Sequence, residues 1–105
     1  MKVGSYIGLI RKVQDLEGNE FWGLYESKVT RIVQNRNGTK IYSKGFYPFD
    51  AEEIELNTEM QEEAQGYILT REIFELNDIT RPKVERWIEW ANANMDKAVS
   101  ILEDV

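Results

Sequence analysis

Apolar and polar residues alternate along the first third of the chain. From Tyr6 to Val13, Ile7, Leu9 and Val13 share one face and Arg11 interrupts it, the period-two pattern of a strand. Asp15-Leu16-Glu17-Gly18-Asn19 supplies turn residues. Phe21 to Val33, rich in aromatic and β-branched residues, predicts a second strand with a bend or bulge at Ser27-Lys28. Asn37-Gly38 predicts a type I′ hairpin, in which both central residues take positive φ. That turn sets Arg36 opposite Thr39, Val33 opposite Tyr42, Arg31 opposite Lys44 and Val29 opposite Phe46. Val29, Val33, Tyr42 and Phe46 then share one face, and Ile32 and Ile41 lie on the other. Two apolar faces predict a curled or closed sheet. Arg31 opposite Lys44 is an unfavourable like-charge pair, which a three-residue turn with a bulge would dissolve.

After Pro48 the pattern changes. Asp50-Ala51-Glu52-Glu53 carries a helix-capping signature, whereas Glu53-Ile54-Glu55-Leu56 alternates like a strand; both readings stay open. Asn57 to Gln65 reads as an acidic loop or a short helix opened by Thr58, and Tyr67-Ile68-Leu69 as a last buried strand. Thr70 caps a short helix over 71–77. Thr80 caps a second, with Pro82 in its first turn. In that second helix Val84, Trp87, Ile88, Ala91, Met95, Ala98, Val99 and Leu102 recur at spacings of three and four. The stripe covers about 22 residues, roughly 33 Å of helix. The pattern predicts one α+β domain over 1–105, β-rich over 1–70 and helical over 71–105. Its sheet is small, curved and antiparallel, SH3-like or a partly open barrel of about four or five strands. A short helix and a long C-terminal amphipathic helix follow.

Composition narrows the chemistry. A chain of 105 residues can bury one core without staples. It has neither cysteine nor histidine, which removes disulfides, thiolate nucleophiles, imidazole bases and thiolate or imidazole metal sites. No phosphate loop or dinucleotide fingerprint is present. The sequence therefore predicts a non-enzymatic binding domain without cofactor or metal. Met1 to Lys12 reads as a strand and not as a signal peptide. No apolar run approaches the roughly 20 residues of a bilayer span; a soluble, cytoplasmic protein without membrane contact is expected.

The net charge of −6 is unevenly spread. Residues 1–49 hold eight bases and four acids, a net +4; residues 50–78 are −9 and residues 79–105 are −1. The basic half would suit an anion. The plainer expectation is that the acidic segment folds against the basic one and neutralises it.

Three groups of residues are candidates for binding. The acidic stretch Asp50 to Glu63 lacks the EF-hand spacing and reads as a solvated face or a lure for a basic partner. Tyr6, Phe21, Trp22, Tyr25, Tyr42, Phe46, Tyr47 and Phe49 lie among lysines and arginines. Such a set stacks single-stranded bases on some small barrels, or else fills the core. Trp90 sits at the edge of the helical stripe; with Trp22 and Tyr47 it is the candidate protein-binding set.

The third group is the segment Thr70-Arg71-Glu72-Ile73-Phe74-Glu75-Leu76-Asn77-Asp78-Ile79-Thr80-Arg81-Pro82-Lys83-Val84-Glu85-Arg86-Trp87-Ile88. It resembles the helix-turn-helix of bacterial DNA-binding regulators, with Ile79, Thr80, Val84 and Trp87 at the matching spacings. The resemblance implies that Arg81, Lys83 and Arg86 contact the groove or its phosphates. Phe74 stands where that pattern has a small residue, Asp78 where it often has Gly, and four bases are balanced by four acids. The sequence thus leaves two functions open. One is a protein-interaction or regulatory adaptor domain that binds a protein partner or itself; the alternative is a DNA-binding regulator using 70–88.

Overall fold

The computed structural model describes residues 1–65 and 72–95. Strands β1 (Tyr6–Gln14), β2 (Glu20–Asn35), β3 (Gly38–Ser43) and β4 (Phe49–Asp50) run into helix α1 (Ala51–Glu63); β5 (Phe74–Leu76) and helix α2 (Thr80–Ala93) follow. The five strands form one antiparallel sheet in the order β4-β3-β2-β1-β5. The fold is a small α+β unit, as expected, with an open sheet. Helix α1 contacts β3 and β4 at one edge and β5 at the other, so it bridges the gap that the strands leave.

Both faces of the sheet are apolar, for two different reasons. On the inner face Ile7, Val29 and Ile41 pack with Ile54 of α1 and with Ile73. On the outer face Ile10, Trp22, Phe74 and Leu76 pack against Val84, Trp87 and Ala91 of α2. The indole rings of Trp22 and Trp87 meet edge to face, with centroids 5.3 Å apart. The stripe read from the sequence is thus a core stripe over its first half. Helix α2 ends at Ala93, where Asn94 leaves helical geometry (φ −135°); it has 14 residues and not the expected 22 or so. Ala98, Val99 and Leu102 lie outside the described residues, as do Tyr67, Ile68 and Leu69.

The hairpin register differs from the type I′ expectation. The turn is Arg36-Asn37, closed by the pair Asn35 and Gly38. The Asn35 side chain accepts the Asn37 amide at 2.9 Å, and only Gly38 takes positive φ, at 121°. An Asx-turn of this kind puts the left-handed residue at a glycine, where it costs nothing. Every cross-strand pair shifts accordingly, and Arg31 faces Tyr42 instead of Lys44. A bulge between Val29 and Arg31 adds Thr30 to β2. Val29 then pairs with Ser43, and Ile32 with Ile41. Val29 and Ile32 consequently point to the same inner face although they are three residues apart.

The predicted short helix over 71–77 is instead the strand β5 at Phe74–Leu76. Phe74 and Leu76 alternate into the outer core, and the helical propensity of so short a segment is outweighed by that burial. Conversely, the open segment 50–65 resolves as a 13-residue helix. The division into a β-rich 1–70 and a helical 71–105 is therefore corrected, with one helix before the last described strand.

Helix side chains satisfy strand edges that no strand among the described residues covers. Asn57 Nδ2 donates to Ile73 O at 2.9 Å, Thr58 Oγ1 accepts from the Glu75 amide at 2.8 Å, and Thr80 Oγ1 donates to Glu75 O at 2.8 Å. On β2, Asn92 of α2 accepts from the Trp22 amide at 2.6 Å and donates to the Trp22 carbonyl at 3.0 Å. Asn92→Ala is expected to cost about 1–3 kcal/mol, the penalty for stranding partly buried backbone groups. Faster hydrogen exchange at the Trp22 amide would accompany it; an unchanged rate would deny Asn92 this role.

Candidate functional site

The helix α1 wears its residues inside out. Ile54, Thr58 and Gln61 face the core, at 0%, 7% and 1% exposure. Two of these three are polar: Thr58 serves β5 and also donates to Ile54 O at 2.6 Å, whereas Gln61 Oε1 has no hydrogen-bond partner among the described residues. The 3.6-residue period places Glu52, Leu56, Glu59, Met60 and Glu63 on the opposite side. Leu56 is 58% exposed and Met60 56%. The result is an apolar stripe of one leucine and one methionine, one turn apart, in a field of carboxylates.

Those carboxylates find little neutralisation among the described residues. Asp50 pairs with Lys40 at 2.7 Å, which holds the Lys40 ammonium above its ordinary pKa through that hydrogen bond. Glu62 accepts from Asn77 at 3.0 Å. Among the described residues, Glu52, Glu53, Glu55, Glu59 and Glu63 form no ion pair. The acids of 50–63 thus make one ion pair with the basic half among the described residues, Asp50 with Lys40, because α1 lays its polar and apolar inner side on the sheet and turns its acids outward. An open hollow of ≈ 380 Å³ joins the start of α1 to the hairpin tip, lined by Asn37, Gly38, Asp50, Glu53 and Leu56 among others. No group of carboxylates among the described residues is arranged to hold a metal ion.

The residues singled out from the sequence fall in different places. Trp22, 3% exposed, is a core residue, since its ring fills the space beneath Trp87; a protein-binding role for its side chain is corrected. Trp90 is half-buried and packs on the outer core. Tyr47 is 87% exposed and Tyr25 50%. Trp90 and Tyr47 lie on separate elements, and no hollow among those described is lined by both.

The helix-turn-helix geometry is absent, since β5 stands where its first helix would be. Arg81 pairs with Glu26 at 2.8 Å. Lys83 Nζ donates to three carbonyls at the end of α1, Gln61 O and Glu62 O at 2.8 Å and Ala64 O at 2.7 Å. Arg86 is exposed beside Glu89, Trp90 and Asn94. Two of the three proposed DNA contacts are therefore engaged within the fold.

Sequence reading missed Leu56 and Met60 because the alternation at 53–56 masked the helix. The signal was nevertheless present: on a helix opened by Asp50, Ile54 and Leu56 fall on nearly opposite sides.

Fold and surface together define a small α+β domain with an open five-stranded antiparallel sheet, its edges bridged and capped by two helices. Compared with family models, curated proteins and solved structures, the chain matches none. No helix among the described residues is long and apolar enough to cross a membrane.

Proposed function

We propose that this chain is a non-enzymatic interaction domain that docks a basic protein partner on the outer face of α1. The observation that carries the reading is the inverted burial of that helix, with Leu56 and Met60 outside while Thr58 and Gln61 are inside. A helix that served only the core gains by the opposite arrangement. Exposed apolar side chains ringed by carboxylates that form no ion pair among the described residues complement an apolar anchor flanked by lysine or arginine. Like charge on α1 disfavours pairing of this face with the same face of a second copy.

Photo-crosslinking from position 56 or 60, in cells of the source organism, tests the reading. Adducts are expected with one or few proteins that present a basic surface. They should weaken when Glu52, Glu59 and Glu63 are changed to Gln and when salt is raised. A crosslinker at Tyr47 serves as the control. Adducts from position 47 but none from 56 or 60 would overturn the assignment to α1.

A further inference from the structure

Residues 27–49 contain Lys28, Arg31, Arg36, Lys40 and Lys44 and no acidic residue. They form the β2–β3 hairpin and the segment after it. The bulge at Thr30 and the shifted register decide where these cations point. The pairs Arg31 with Tyr42 and Val33 with Lys40 lie opposite the inner face that holds Ile32 and Ile41. Thr30, Arg31, Tyr42, Ser43 and Lys44 line one open hollow of ≈ 480 Å³. Within it the Arg31 guanidinium carbon lies 4.3 Å from the centre of the Tyr42 ring. Thr30, Arg31 and Lys44 are exposed.

Of the five cations only Lys40 is held by a carboxylate among the described residues. The hollow thus offers two positive charges with no carboxylate partner among the described residues and a flat guanidinium-on-ring platform, with no carboxylate among its lining residues. Had the type I′ register formed, Arg31 would have faced Lys44 directly and the platform would not exist. Charge of one sign suits phosphates, and a stacked guanidinium and ring suit the face of a base. A phosphorylated side chain would use the charges and leave the platform idle.

We propose that this outer face of the hairpin binds a single strand of nucleic acid, with phosphates against Arg31, Lys44 and the neighbouring Lys28 and a base stacked on the Arg31–Tyr42 pair. The site is independent of the α1 face, which carries the opposite charge on another element.

Fluorescence anisotropy of a labelled oligothymidylate with the whole chain tests it. Binding is expected at low salt and should fall with added salt. Three phosphate contacts give a log–log slope of about −2 for a single strand. Arg31→Gln/Lys44→Gln should weaken binding at least tenfold and flatten the slope. Tyr42→Leu should weaken it several-fold while leaving the slope unchanged, because it removes stacking and no charge. Leu56→Ser/Met60→Ser, on α1, should leave the affinity as it is, so failure of the α1 reading and failure of this one are distinguishable. Thermal melts of each variant separate lost binding from lost folding. No binding at low salt would overturn the proposal, as would binding that survives Arg31→Gln/Lys44→Gln in a folded protein. So would inorganic polyphosphate that binds as tightly as the oligonucleotide and is indifferent to Tyr42→Leu, since that describes a bare anion patch.

Discussion

Trp87→Ala is expected to remove about 3–5 kcal/mol of stability, the usual cost of emptying a fully buried indole site. Trp87 is 1% exposed and central to the outer core, between α2 and the strands that carry Ile10, Trp22, Phe74 and Leu76. Its loss leaves a void that these strands cannot close, because β1 and β2 are fixed by their own ladder from Tyr6 to Gln14. It also removes the edge-to-face partner of Trp22, a contact worth about 0.5–1.5 kcal/mol beyond area. A domain of this size has roughly 5–15 kcal/mol in all, so the variant should lose a large share of its stability. Urea denaturation provides the measurement, with a lower midpoint at similar slope. Tyr47→Ala, at an 87% exposed aromatic, should stay within about 0.5 kcal/mol of the parent. Equal effects at 87 and 47 would contradict the packing described.

Lys83→Met should cost about 2 kcal/mol, through loss of charge-assisted hydrogen bonds at a helix end. The last carbonyls of any helix lack intrahelical donors, and α1 has no basic residue in its own last turn. Lys83 reaches across from α2 and supplies the missing charge to three of those carbonyls. Methionine keeps the apolar stem and removes only the ammonium. The cost stays well below three separate bonds because the Glu62 carbonyl is exposed and water takes the place of the lysine there. Lys83→Arg should recover little, since a planar fork cannot converge on three carbonyls as a compact ammonium does. Faster amide exchange in the last turn of α1 would mark the loss as local. Unchanged exchange and stability would return Lys83 to the set of free surface cations, and with it the case for DNA contact by α2.

The particular elements show how far the sequence reaches. Period two at Tyr6–Val13 and period 3.6 at Val84–Ala91 are local records of burial; β1 forms where it was read, and α2 over the first part of its stripe. The absence of cysteine and histidine likewise limits the chemistry without any knowledge of the fold. The turn at Arg36-Asn37 was a closer matter, because Asn35 and Asn37 both suit a turn. The inner core settles it by drawing Val29, Ile32 and Ile41 to one side.

For segment 50–65 the local pattern leaves helix and strand both open, and for 74–76 it points to a helix. Helix α1 buries Thr58 because the amide of Glu75 in distant β5 needs an acceptor. Residues Phe74–Leu76 are a strand because β1 offers them a ladder. The same holds for the surfaces of interest. The cations of 27–49 and the acids of 50–63 are plain in the sequence, and their separation into opposed, largely unpaired faces is not. Composition, periodicity and turn chemistry act between near neighbours and are written in the chain. Which polar group meets which strand edge depends on contacts between residues up to 70 positions apart, as in Asn92 and Trp22, and only the tertiary structure decides them.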